Sequence, residues 1–92
     1  MLRVYKYDLP YADCFKFELE LPIGAKILTA KAQYGIGQLW ALVDPEAEIQ
    51  RRTFLITTTG HAIIEGPEEL VYIDTMLFLN DSYVSHLFEV LK

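Results

Sequence analysis

Apolar and polar residues alternate with a period of two along much of the chain. The pattern is clearest in Phe15-Lys16-Phe17-Glu18-Leu19-Glu20-Leu21, where odd positions are apolar and even positions are charged. Such alternation places the apolar side chains on one face of a β-strand, whereas a helix would scatter them. The segment therefore predicts a half-buried strand.

Six further segments have the length and composition of strands, and turn residues such as Pro22-Ile23-Gly24, Gly35-Ile36-Gly37 and Asn80-Asp81 separate them. No connection is long enough for a crossover helix, and helix is expected at most as single turns in the acidic loop at 46–50 and near Pro67. The sequence thus predicts one all-β domain over residues 1–92, an antiparallel sandwich or a small barrel. The predicted strands are 3–9, 15–21, 25–34, 39–43, 52–58, 70–79 and 83–91.

The segment from Leu39 to Val43 is apolar at every position, which predicts a central strand covered on both faces. Its Trp40 is then expected to pack in the core or at a subunit interface. If the 38–45 and 52–61 segments pair as neighbouring strands, the hydrophobic centre and a polar strand end belong to one hairpin.

Charge and cysteine content narrow the class of protein. The net charge of −5, from 8 Lys and Arg against 13 Asp and Glu, disfavours binding to long nucleic acid. The sole cysteine, Cys14, allows no disulfide within the chain and fits a reducing compartment. The N-terminus lacks the pattern of a signal peptide, and no apolar run has membrane-spanning length. We expect a cytoplasmic protein without a membrane partner.

The ends of the predicted fifth strand hold the candidate ligand site. Arginine binds phosphate or carboxylate in a bidentate manner, hydroxyl groups add hydrogen bonds, and His61 follows a glycine where a loop can aim it at a ligand. The alternatives are surface ion pairs of the arginines with Glu20, Glu46 or Glu48, and a loop hydrogen bond for His61. The candidate residues are Lys31, Arg51, Arg52, Thr57, Thr59, Gly60 and His61.

Catalytic and metal motifs are missing from the sequence. It has no phosphate-binding glycine loop, no Cys–His metal spacing and no nucleophile elbow. Glu65, Glu68 and Glu69 are expected to form a solvated acidic loop, and His86 is expected to be a half-buried histidine with its hydrogen bonds satisfied. We therefore predict no catalytic residue, metal or cofactor, and no enzyme activity.

Several segments together resemble a family of small phage and prophage proteins. They are Val4-Tyr5-Lys6-Tyr7-Asp8-Leu9, Leu21-Pro22-x-Gly24-Ala25-Lys26-Ile27-Leu28, Leu39-Trp40-Ala41-Leu42-Val43-Asp44-Pro45, Arg52-Thr53-Phe54-x-Ile56-x-x-Thr59-Gly60-His61 and His86-Leu87-Phe88-Glu89. The resemblance implies a phage-encoded accessory protein that acts in the cytoplasm of the bacterial host. Small phage proteins of this kind often counter host defences, by blocking a host protein or by sequestering a signalling nucleotide.

Aromatic residues make up 13% of the chain, which suits a protein–protein interface. The leading hypothesis is a non-enzymatic homo-oligomer that binds and inhibits a host defence protein. The alternatives are a protein that binds a small anionic ligand, such as a signalling nucleotide, and a structural component of the virion.

Overall fold

A computed structural model describes residues 1–10, 15–80 and 82–91. The prediction of about seven strands with little helix is confirmed. No helix in this part of the chain is long and apolar enough to cross a membrane. Cys14 and the predicted turn residue Asp81 lie outside the described residues. The elements are β1 (Arg3–Asp8), β2 (Phe15–Pro22), β3 (Lys26–Gln33), β4 (Ile36–Val43), β5 (Ile49–Thr58), a 3-10 helix (Pro67–Glu69), β6 (Leu70–Phe78) and β7 (Tyr83–Val90).

The strands form two antiparallel sheets, in the manner of an unclosed sandwich. Sheet A has the strand order β1-β4-β3, and sheet B has the order β2-β5-β7-β6. Strands β4 and β5 therefore lie in different sheets, and the predicted hairpin between the 38–45 and 52–61 segments is wrong. The turn at Asp44, whose carbonyl accepts the Ala47 N–H at 3.0 Å, carries the chain from one sheet to the other. Alternation in a strand fixes which face is buried but does not name the neighbouring strand.

The core lies between the sheets and is built from one face of each strand. Leu39 and Ala41 of β4 are fully buried and belong to one cluster with Phe54, Ile56 and Leu87 of sheet B. The ring of Phe54 stacks on that of Phe17, with ring centroids 5.8 Å apart. The inward face of β2 is the one that its alternation predicts, and the residues of β5 and β7 that face the core include Phe54, Ile56 and Leu87.

The opposite face of β4 is not covered as predicted. Trp40 and Leu42 point away from sheet B, because they alternate with the buried Leu39, Ala41 and Val43, and both are only partly buried. The expectation of a strand covered on both faces is therefore wrong. Strand β4 is central within sheet A, but among the described residues no further layer covers its outer side.

Two β-bulges bring the edges of the sheets together. The register shifts between Ile27 and Thr29 in β3 and between Tyr72 and Asp74 in β6. The Asp74 carboxylate accepts hydrogen bonds from the Thr29 hydroxyl at 2.5 Å and from the Ala30 N–H at 3.1 Å. This side chain of sheet B thus satisfies a backbone donor at the edge of sheet A.

Burial raises the pKa of Asp74, but the net direction is downward. The hydrogen bonds from Thr29, Ala30 and Thr75, together with the charge of Lys31, outweigh the effect of burial. Asp74 is therefore held as a carboxylate, and it stabilises the contact between the two sheets.

Candidate functional site

The structure does not bring the seven predicted ligand-binding residues together. Arg51 and Arg52 lie near the start of β5, whereas Thr59, Gly60 and His61 follow its end. Seven residues of extended chain at about 3.3 Å each separate Arg52 from Thr59 by roughly 20 Å. Lys31 lies on β3 in the other sheet, where its Nζ is 3.5 Å from Asp74. Thr57 is buried on the outer side of sheet B.

Arg52 points into the sandwich and is occupied by protein groups. Its Nε and Nη2 donate to the two carboxylate oxygens of Glu89, at 2.7 and 2.8 Å, and Nη1 donates to the carbonyl oxygen of Ala25 at 2.6 Å. The hydrogen bond to Glu89 raises the pKa of Arg52, burial opposes this, and the charge of Glu89 adds to it. The guanidinium therefore joins β5, β7 and the segment before β3.

Strand alternation in the sequence indicates the ion pair of Arg52 with Glu89, although the predicted ligand site did not take it into account. Arg52 has the same parity as the inward-facing Phe54 and Ile56, and Glu89 has the same parity as the inward-facing Leu87. An arginine and a glutamate on apolar inward faces are expected to pair with each other.

Arg51 points outward, as strand alternation requires. Its guanidinium lies 3.7 Å from Glu20 and 4.0 Å from Glu18, and its side chain is 70% exposed. The alternative of a surface ion pair with Glu20 is therefore what the structure contains. Exposed pairs of this geometry contribute little to stability.

Thr59 belongs to a polar network centred on His86. The His86 ring nitrogens hydrogen-bond Thr59 through Nε2 at 2.7 Å and Thr75 through Nδ1 at 3.1 Å, and the Thr75 hydroxyl also contacts the Tyr72 hydroxyl at 2.6 Å. His86 is partly buried and hydrogen-bonded, as predicted, but it lies on the outer side of sheet B, opposite Thr57, and not in the core. The network holds the start of the segment that crosses from β5 to β6.

His61 is exposed beside a turn. Its backbone N–H donates to the Thr58 carbonyl oxygen at 3.2 Å, and the preceding Gly60 has a φ of +87°. Glycine suits this position because a positive φ strains residues that have a Cβ atom. The local geometry therefore explains Gly60 without a ligand, while binding at His61 stays a prediction.

Two clefts formed by described residues lie elsewhere. One, of about 460 Å³, separates β2 from the 64–69 segment, and the other, of about 420 Å³, lies beside Arg52 and Glu89. Neither is lined by any residue from Thr57 to His61. Within the described ranges, no three His, Asp, Glu or Cys side chains are grouped as metal ligands.

The first cleft contains a fixed ion pair. Lys16 Nζ lies 2.6 Å from Glu65, whose side chain is only 8% exposed. The hydrogen bond from Lys16 lowers the pKa of Glu65, a backbone hydrogen bond lowers it further, burial opposes this, and the charge of Lys16 adds to the lowering. The expectation that Glu65 belongs to a solvated acidic loop is wrong, because its carboxylate fixes this segment to β2.

A further candidate surface is the outer side of sheet A, which we call the Trp40 face. It presents an apolar row, because Val4 of β1 is paired with Leu42 of β4, and Trp40 is the next outward residue along β4. Val4 is 56% exposed, and Lys6 and Thr29 flank Trp40 on its two sides. The face consists of Val4, Lys6, Asp8, Lys26, Thr29, Lys31, Gln33, Ile36, Gln38, Trp40 and Leu42.

Gln38 adds an unsatisfied polar group to the Trp40 face. The residue is 5% exposed, and its Oε1 has no hydrogen-bond partner among the described residues. A buried acceptor without a donor is uncommon in folded proteins and costs free energy. Because Gln38 is buried, a partner of this face would contact the apolar row and not this acceptor.

A family model described as a domain of unknown function, DUF7352, matches residues 1–92. The chain belongs to DUF7352. Neither the curated proteins nor the solved structures gave a match to it. The description of DUF7352 assigns no activity and does not mention phages, so the phage origin implied by the sequence resemblance stays a prediction.

Proposed function

We propose that this DUF7352 protein is a non-enzymatic accessory protein of phage type, which binds a host defence protein in the bacterial cytoplasm and inhibits it. The observation that carries the proposal is the uncovered Trp40 face, where Val4, Trp40 and Leu42 form a row on the outer side of a three-stranded sheet. Aromatic and aliphatic side chains at the centre of a flat surface are typical of protein interfaces.

The hydrogen bonds that polar side chains form with other strands support a binding role over catalysis. Arg52, Asp74 and His86 each have their polar atoms committed to contacts between strands. A catalytic group needs a reactive atom that faces substrate in a cleft. These three side chains instead stabilise the scaffold that presents the Trp40 face.

Binding of a small anionic ligand receives less support from the geometry. Arg52 already holds the Glu89 carboxylate, and Arg51 lies on the opposite side of the sheet. The homo-oligomer expected from the sequence is part of the proposal, and sedimentation velocity of the purified chain measures it.

The test begins with capture of host proteins on the immobilised chain and reconstitution of the complex from purified components. Val4→Ser is the informative variant and Val71→Ser is its matched control, because both are partly exposed valines, 56% and 45%, on edge strands of different sheets. We expect Val4→Ser to weaken binding about fivefold, because the substitution removes the burial of about half a valine side chain at the interface.

The expected result is loss of affinity and of defence inhibition for Val4→Ser, with both retained for Val71→Ser. Equal affinities for the two variants would show that the Trp40 face is not the binding surface. Failure of the wild-type chain to form any reconstituted complex would overturn the proposed function itself.

A further inference from the structure

Positive charge is concentrated on the Trp40 face, although the protein as a whole is acidic. The face carries Lys6, Lys26 and Lys31 and one acidic residue, Asp8, which gives it a formal charge of +2. The whole chain has a net charge of −5, so the remainder carries −7. Side chains on a single three-stranded face therefore create a local field opposite in sign to that of the molecule.

The three lysines differ in how far their charge is compensated. Lys6 Nζ donates to the neutral Gln33 Oε1 at 3.1 Å, which leaves its charge in place. Lys26 is exposed, and no acidic side chain among the described residues forms an ion pair with it. Lys31 is 3.5 Å from Asp74, a carboxylate that already accepts three hydrogen bonds. Lys6 and Lys26 thus provide most of the available charge.

The lysines surround an apolar centre. Lys6 lies directly across from Trp40, and Lys26 lies directly across from Leu42 on the other side of β4. A charged rim around an apolar core is the usual organisation of a protein interface, and rim charges speed association with a partner of opposite sign. We infer that the Trp40 face binds an acidic protein segment, whose apolar side chains contact Trp40 and Leu42 while its carboxylates pair with Lys6 and Lys26.

An acidic protein fits this surface better than nucleic acid does. Only three lysines are available to neutralise phosphates, and the rest of the chain repels a polyanion. The apolar row of Val4, Leu42 and Trp40 would contribute nothing to phosphate contacts, whereas it complements the apolar residues of a protein segment. The carboxylates of the partner would also be repelled by the acidic turn at 44–48, which favours one orientation on the face.

The inference rests on the proposed function, and a probe peptide tests it separately. Trp40 is the only tryptophan in the chain, so its fluorescence reports directly on this face. The probes are a short soluble peptide rich in glutamate and leucine without aromatic residues, the same peptide with lysine in place of glutamate, and single-stranded oligo-dT. We expect saturable change of Trp40 emission with the glutamate peptide only, and binding about tenfold weaker when salt rises from about 0.05 to about 0.3 M.

Two double variants identify the charges involved. Lys6→Gln/Lys26→Gln removes two positive charges from the Trp40 face, and Lys16→Gln/Arg51→Gln removes two from sheet B, so both have the same net charge. The first is expected to weaken binding of the glutamate peptide about tenfold, from two rim pairs at under 1 kcal/mol each, and the second is expected to leave it unchanged. Circular dichroism confirms that each variant is folded.

The outcomes separate this inference from the proposed function. The inference of an acidic partner is overturned if both double variants weaken binding of the glutamate peptide equally, or if Trp40 emission does not respond to this peptide. The Val4→Ser variant then still tests whether the host protein binds at the Trp40 face. A response to oligo-dT alone assigns the face to nucleic acid and also overturns it. A chain that sediments as a dimer with shielded Trp40 shows that a second copy occupies the face, and this outcome also contradicts the inference.

Discussion

Replacing Arg52 by alanine tests whether this residue supports the fold. The substitution removes three charge-assisted hydrogen bonds and leaves the Glu89 carboxylate without its partner between the sheets. Loss of one member of a buried ion pair typically costs 3–5 kcal/mol, and we expect about 3 kcal/mol here because the Arg52 and Glu89 side chains retain 18% and 14% exposure.

Arg51→Ala is the matched control, since it removes the same side chain from the adjacent position on the opposite face. Its ion pairs with Glu18 and Glu20 are long and solvated, and we expect a cost below about 1 kcal/mol. Arg52→Lys is expected to fall between the two alanine variants, because lysine keeps the charge but cannot form the bidentate contact.

The assay is urea unfolding at neutral pH, followed both by Trp40 fluorescence and by circular dichroism. The free energy of unfolding is compared among the wild type and the three variants, with the slope against urea checked for two-state behaviour. Free energies for Arg52→Ala and Arg51→Ala that agree within about 0.5 kcal/mol would refute a structural role for Arg52. In that event the arginine pair returns as a candidate ligand site.

Three further substitutions test other parts of the structure by the same unfolding assay. Asp74→Asn is expected to cost about 2 kcal/mol at pH 7. Because the folded-state pKa of Asp74 is lowered, this stability is present above about pH 4 and is lost as pH falls further. The difference in free energy of unfolding between wild type and variant is therefore expected to narrow in acid. A difference that stays constant with pH would contradict the role of the carboxylate. Gly60→Ala is expected to cost about 1 kcal/mol from backbone strain alone, since no atom lies within 4 Å of the added Cβ; no measurable cost would contradict a strained turn. His86→Leu is expected to cost about 2 kcal/mol and to speed amide hydrogen exchange in residues 59–69; unchanged exchange there would show that His86 does not hold this segment.

The local features of the fold follow from the sequence because β-structure has a strict period. The alternation in Phe15–Leu21 correctly predicts β2 and its inward face. The predicted loop Gly35-Ile36-Gly37 is wrong, because the turn is formed by Tyr34 and Gly35 and β4 begins at Ile36. The β-bulges, in contrast, do not follow from a period of two. Alternation counted back from Ala30 places Leu28 inward, but the extra residue in β3 shifts the phase, so Ile27 packs against the core and Leu28 is 46% exposed.

Long-range features could not be read from the chain. Nothing local distinguishes a turn that pairs β4 with β5 from one that sends β5 to the other sheet. The proximity of Arg52 to Glu89 depends on pairing between strands 37 residues apart, and that of Thr29 to Asp74 depends on two bulges that meet. The exposure of the Trp40 face likewise follows from the division into sheets of three and four strands, because an apolar segment alone does not show how many layers cover it.

Acrylamide quenching of Trp40 fluorescence tests the central claim most directly, because the only tryptophan lies at the centre of the proposed binding surface. The account predicts that the quencher reaches Trp40 in the isolated chain and that the quenching constant falls when the reconstituted host partner binds. A quenching constant that is the same with and without the bound partner would contradict it.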